Sequence, residues 1–175
     1  MGAFLEAIVA VFSDWGIGSE GTQQVVLKAD RKHFRDLTMG AAVLVGRRTM
    51  EDFPGGRPLK GRTNLVLTRQ DIDVPGAFTV HSAEEAAEQA ARFDRCLVLG
   101  GASVYRQMLP WVSTVHVTQI ALSPQSDSYF PNLDQSPDWV LQNSGPWLTE
   151  AGVSYRFCTY VRAPFSKEGN DSKED

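Results

Sequence analysis

The sequence predicts one α/β domain, a mostly parallel twisted sheet with helices on its faces, and three observations carry that reading. Near-continuous apolar runs of strand length recur along the chain, the pattern of strands covered on both faces. Segments of helical period alternate with them, which implies right-handed crossovers between parallel strands. The 175 residues, 42% hydrophobic and 22% charged, suit a single globular unit, and no repeat or linker divides them.

Taken in order, Ala7 to Phe12 is the first apolar run, and a helical pattern follows over Ala29 to Leu37. Ala41 to Val45 is the second run and leads into a short helix from Arg48. Asn64 to Leu67 is the third run, followed by a helix over Ala83 to Ala91. Cys96 to Leu99 and Thr114 to Ile120 flank a helix over Ala102 to Met108. Beyond Ile120 only strands and turns are expected, ending in Val153 to Val161 as an antiparallel addition at the sheet edge. The domain is expected to span residues 1–163, with the polar, charged residues 164–175 as a disordered tail.

Composition excludes several function classes. A net charge of −4 and a pI near 5.4 lack the basic excess of a nucleic-acid binder. Cys96 and Cys158 are too few for a disulfide framework; both lie in apolar runs and read as buried, reduced thiols of a cytoplasmic protein. The first residues have neither the basic start nor the cleavage site of a secretory signal, and their apolar run is too short to span a membrane. Glu6 stands where a myristoylation motif needs Ser or Thr. His33, His81 and His116 lack ligand spacing, so no metal site is expected, and no G-x-S-x-G or S-x-x-K nucleophile pattern occurs.

Four segments carry candidate chemistry. Leu27, Phe34 and Leu37 share one helix face, and Asp30 falls within it. A carboxylate there is costly unless paired or protonated, and burial raises its pKa, which keeps an acid available near neutral pH. The plainer alternative is an Asp placed in a first helical turn for the dipole. Val43 to Thr49 runs from an apolar strand through Gly46 to Arg47, Arg48 and a hydroxyl at a helix start, suited to phosphate or else a solvated basic turn. Leu97 to Tyr105 repeats that arrangement around Gly100 and Gly101, although the spacing is not the G-x-G-x-x-G fingerprint. Leu67-Thr68-Arg69 ends a third strand at the same carboxyl edge, where open α/β sheets bind ligands. Arginines concentrated on one rim of an acidic protein point to a polyanionic small molecule. Thr118, taken alone, reads as a routine strand threonine.

Together these segments resemble the dihydrofolate reductases, from Ala7 to about Tyr160. The matching pieces are Trp15-Gly16-Ile17-Gly18, Leu27-Lys28-Ala29-Asp30 with Phe34, Val45-Gly46-Arg47-Arg48-Thr49, and the stretch from Gly56 to Asn64. They continue with Leu67-Thr68-Arg69, Leu99-Gly100-Gly101, Tyr105, Thr118 and Asp127-Ser128-Tyr129-Phe130-Pro131. The resemblance implies that family's single-domain fold, with about eight strands, an antiparallel C-terminal edge strand and about four helices. It also implies NADPH-dependent reduction of 7,8-dihydrofolate to tetrahydrofolate by a monomer that binds antifolate inhibitors and needs no metal.

The site roles follow from the same resemblance. Asp30 would hold the pterin ring nitrogen and 2-amino group, with Thr118 bridging, and favour protonation of N5 while hydride reaches C6. Ile8, Val9, Phe34, Phe53, Leu59 and Leu99 would line the substrate. Arg62 would pair with its glutamate carboxylate, with Arg35 and Arg57 as secondary candidates. Arg47, Thr68 and Arg69 would surround the adenosine 2′-phosphate. Arg48, Thr49, Gly101, Ala102, Ser103 and Val104 would contact the pyrophosphate, and Ala10, Ile17 and Tyr105 would frame the nicotinamide. Gly18, Gly46, Leu67, Leu99 and Gly100 complete the cofactor set, with a cis Gly100–Gly101 peptide.

The chain departs from the family pattern between Gly18 and Leu27, where a Pro-Trp pair is usual. The stretch here is Gly21-Thr22-Gln23-Gln24-Val25-Val26, with Val25 in place of the tryptophan. Lys28 stands where proline is common and Met50 where tryptophan is common, and Pro54-Gly55 lengthens the turn before Arg57. Slower proton delivery and altered antifolate affinity are the expected consequences. Two other readings are a reductase of the same fold acting on another pteridine or a ribosylamino-pyrimidine, and a non-catalytic NADPH- or folate-binding protein. Arg62 discriminates the first, because only a substrate with a glutamate carboxylate needs it.

Overall fold

A computed structural model describes residues 5–18 and 25–163. The expected tail at 164–175, residues 1–4 of the N-terminal stretch and Gly21 to Gln24 of the departing loop lie outside the described residues. In chain order the elements are β1 (Leu5–Phe12), β2 (Gly16–Gly18), α1 (Lys28–Thr38), β3 (Ala42–Gly46), α2 (Arg47–Glu51), β4 (Thr63–Leu67) and β5 (Ala77–Val80). They continue with α3 (Ala83–Ala90), β6 (Cys96–Gly100), α4 (Ala102–Met108), β7 (Val112–Ile120), β8 (Ser128–Tyr129), β9 (Trp139–Ser144), β10 (Leu148–Glu150) and β11 (Val153–Arg162).

The main sheet runs β10-β11-β7-β1-β6-β3-β4-β5, with β9 also paired to β11, and β2 and β8 form a separate ribbon. Every pair from β7 to β5 is parallel, and β11 turns antiparallel on β7. The expected C-terminal strand therefore exists, but it is not the outermost one: β9 and β10 both pair along its far side. Those two strands are short and largely exposed, with polar residues after Leu141, so they carry no buried-strand signature.

Residues along β3 explain why its run is continuously apolar. Ala42 and Leu44 pack into one core with Ala86 and Ala90 of α3 and Val104 and Met108 of α4. Val43 and Val45 point the other way, into a second core with Phe34 and Leu37 of α1 and Met50 of α2. Alternate residues of a strand face opposite sides, so helices on both sides demand apolar residues throughout. Burying side chains of this size contributes roughly 1.5–3 kcal/mol each. Cys96 and Cys158 are buried and unpaired. Among the described residues no helix is long and apolar enough to cross a membrane.

Candidate active site

Strand order creates the site. The chain leaves β1, builds β3, β4 and β5 outward, then returns to insert β6 between β1 and β3 and β7 on the other side of β1. Crossovers thus depart in opposite directions beside β1, the kind of switch point where open α/β sheets form a crevice. The pairing between β1 and β6 ends at Ala7 opposite Val98. Beyond it a cavity opens, lined by Val9, Ala10, Ile17, Gly18, Leu99, Gly100, Gly101 and Tyr105. The Tyr105 hydroxyl lies 2.7 Å from the Ile8 carbonyl and 2.9 Å from that of Leu99, spanning the gap. The Gly100–Gly101 peptide is cis.

Asp30 sits in the first turn of α1 and faces the sheet, in a cavity of about 540 Å³ lined also by Leu27, Phe34, Phe53, Leu59 and Arg62. The Thr118 hydroxyl of β7 donates to Asp30 Oδ1 at 2.6 Å. Burial pushes the Asp30 pKa up, the Thr118 bond lowers it, and the nearby Glu150 carboxylate raises it further; the net shift is upward. An apolar wall therefore holds an acid that is protonated at higher pH than an exposed aspartate.

Arg62 closes the outer end of that cavity. Its Nε donates to Thr38 Oγ1 at 3.1 Å and its Nη1 to the Lys60 carbonyl at 2.5 Å. Among the described residues no carboxylate lies within 4 Å of it. Burial and the neighbouring Arg35 guanidinium both push its pKa down. Two cations held close without an anion form a receptor for a carboxylate. Asn64, 1% exposed, fixes the loop: its side chain bonds both polar groups of Leu59 and the Arg62 carbonyl.

A third cavity joins the starts of α2 and α4, with Gly46, Arg47, Arg48 and Thr49 on one side and Gly101, Ala102, Ser103 and Val104 on the other. The two turns are nested. A Cβ on Gly46 would meet Val104 Cγ2 at 3.0 Å, and one on Gly101 would meet Thr49 Oγ1 at 3.1 Å.

A family model described as dihydrofolate reductase matches residues 4–162. The chain belongs to the dihydrofolate reductase family. The dihydrofolate reductase of Neisseria gonorrhoeae is 32% identical over 155 residues, 88% of this chain and 95% of that protein. That of Haemophilus influenzae is 35% identical over 135 residues, covering 77% and 82%. A solved dihydrofolate reductase from Enterococcus faecalis, complexed with NADP(H) and RAB-propyl, superposes with a TM-score of 0.83. It is 29% identical and covers 92% of this chain and 97% of that one.

Against the residues expected of a dihydrofolate reductase, the structure brings most of the named set to the three adjoining cavities. Ile8 is 6% exposed and packs beneath Phe34, Phe53 and Leu59 rather than lining a cavity. Arg57 is exposed and folds back along the Gly55 side of its turn, outside the cavity that Arg62 lines; positive φ at Gly55 and Gly56 steers it there. Leu67, Thr68 and Arg69 line none of these cavities, although Gln70 just beyond bonds Arg47 and brings that strand end alongside. Val25 packs against the cluster of Phe12, Leu27, Ile120 and Tyr155. Arg31, Asp52, Ser128, Thr38 and Asn64 belong to the site or its supports, although no sequence pattern assigned any of them a role there. Arg31 was hidden in a charged helical run, Thr38 ends the same helix, and the other three look like ordinary turn or strand residues.

Proposed function

We infer that this chain is an NADPH-dependent dihydrofolate reductase in which Asp30 is the acid that serves N5 of 7,8-dihydrofolate while hydride is delivered to C6. The observation that carries the reading is the Thr118-bonded Asp30, raised in pKa, on the apolar wall of a cavity adjoining the Gly100–Gly101 crevice. The donor set fits the cofactor. Arg47, Arg48 and Thr49 offer guanidinia and a hydroxyl to phosphates, and the backbone at Gly101 leaves a space that a Cβ would fill. When bound, NADPH supplies the hydride.

The chain's own residues do the rest. Asp30 holds the pterin edge and keeps a proton in reach; a positioned acid of this kind contributes about 10²–10⁴-fold. Phe34, Phe53 and Leu59 give the substrate rings an apolar wall and exclude water, so orientation adds to the rate. Arg62 takes the glutamate carboxylate, which favours a folate over a substrate lacking that group. The two buried free thiols suit a reducing, cytoplasmic setting, and we read the enzyme as a monomer.

The test is the loss of NADPH absorbance with dihydrofolate, for the intact chain and for Asp30→Asn and Arg62→Lys. Turnover that Asp30→Asn loses by at least a hundredfold, with Arg62→Lys raising KM while kcat persists, supports the reading. No dihydrofolate-dependent oxidation by the intact chain sinks it.

A further inference from the structure

Helix α1, which carries Asp30, begins without a cap of its own, because Leu27 has no side-chain acceptor. The acceptor comes from far along the chain. Glu150, the last residue of β10, takes the Lys28 N–H on Oε2 at 2.6 Å and the Ala29 N–H on Oε1 at 3.1 Å. These are two of the helix donors that have no partner within the helix. Lys28, through its backbone N–H, supplies the first of the two bonds. The same bonds hold the Glu150 carboxyl below its usual range, so it is ionised when Asp30 titrates.

The sheet completes the connection. β10 pairs with β11 through Thr149 and Ser154, and β11 pairs with β7 through Phe157 and Thr118. Glu150 thus ties the helix bearing Asp30 to the strands bearing its partner hydroxyl. We propose that Glu150 is a positioning residue for Asp30, fixing the first turn of α1 against the sheet and placing a negative charge beside the acid.

The proposal rests on Asp30 being the acid of dihydrofolate reduction. A neighbouring anion opposes ionisation of Asp30 and so works in the same direction as burial. The other groups around Asp30 act differently. Thr118 on β7 is a neutral donor, and Tyr105 on α4 has its hydroxyl committed to two carbonyls. Phe157 on β11 is apolar and stacks on His33 of α1. Arg31, Arg35 and Arg62 line the cavity and Lys28 begins α1, but the shift at Asp30 comes from burial, Thr118 and Glu150. Among the described residues, Glu150 is the carboxylate whose charge acts on Asp30.

The experiment uses the full chain with Glu150→Gln, Glu150→Asp and Glu150→Ala. Two readouts are taken: the Asp30 carboxyl titration by ¹³C NMR, assigned with Asp30→Asn, and the pH profile of hydride transfer. Glu150→Gln keeps the shape and an acceptor but loses the charge, so the Asp30 titration and the alkaline limb of the profile both move to lower pH. Glu150→Asp restores part of the shift. Glu150→Ala adds a fall in kcat without a matching change in NADPH affinity. Superimposable Asp30 titrations and rate profiles for Glu150→Gln and the unmodified chain overturn the proposal, even if Glu150→Ala fails to fold. The carboxyl titration needs no turnover: an inactive chain whose Asp30 titration still moves in Glu150→Gln would retain the positioning role and sink the assigned reaction alone.

Discussion

Tyr105→Phe isolates the hydroxyl that spans the crevice. The phenol is 6% exposed, and its ring meets Phe130 edge-to-face at 4.9 Å, a contact that phenylalanine keeps. What is lost is one O–H shared between the Ile8 and Leu99 carbonyls, in the gap beyond the last paired residues of β1 and β6. Burial pushes the phenol far above its ordinary pKa, so it is a donor throughout the accessible pH range. Removing the donor from buried acceptors costs about 1–3 kcal/mol. At this chain length each kcal/mol lowers Tm by roughly 2–4 °C, giving a fall of about 2–12 °C. Urea unfolding followed by tryptophan fluorescence should show a lower midpoint with an unchanged slope. Stability within about 0.5 kcal/mol of the unmodified protein would refute the reasoning, because the carbonyls would then not need the hydroxyl.

Three further outcomes are expected. Asp30 has a folded pKa raised above its ordinary 3.8, so stability linked to its protonation is present at low pH and lost as pH rises through the folded value. Asp30→Asn should therefore be more stable than the unmodified chain at pH 8, with the gap closing toward pH 4, in parallel denaturant titrations. For Glu6, burial pushes the pKa up but bonds from Arg95 and His116 outweigh it and hold the carboxyl at about 2. Its contribution, about 1–3 kcal/mol, is present above pH 4.5 and lost as pH falls toward 2; Glu6→Gln should lose it at pH 7 and match the unmodified chain at pH 2. Gly101→Ala places a methyl 3.1 Å from Thr49 Oγ1, and overpacking of about 1–3 kcal/mol should weaken NADPH binding roughly five- to 150-fold by fluorescence titration, with dihydrofolate binding little changed.

Strands buried on both faces were legible because burial alone sets their composition. Cys96 to Leu99 matches β6 within a residue for that reason, and Ala102 to Met108 matches α4 because its buried Val104 and Met108 recur at helical spacing. β5, with Phe78 exposed, and β9 and β10 were not legible, because half-solvated strands depend on neighbours that no local pattern names. The site divided along the same line. Asp30 was visible as a carboxylate on an apolar helix face, and Gly46 and Gly100-Gly101 as strand-to-helix turns. Thr118 gained meaning only through the resemblance, since its partner lies 88 residues away. Thr38 meets Arg62 across 24 residues, a pairing no local pattern names, and the bonds of Asn64 to Leu59 and Arg62 belong to an irregular turn that leaves no periodic signal.

The placement of β1 between β6 and β7 bears on how the protein is made. β1 has no neighbour in the sheet until Cys96 to Gly100 and Val112 to Ile120 have followed it, and α1 has no cap until Glu150 emerges. At ordinary elongation rates that interval is on the order of ten seconds, during which an apolar strand stays unpaired. Long-range pairing of this kind also slows refolding of the released chain. Ligand binding, which needs α1 and β7 together, therefore waits on segments far apart in the chain, and capture of a labelled ligand would time their union.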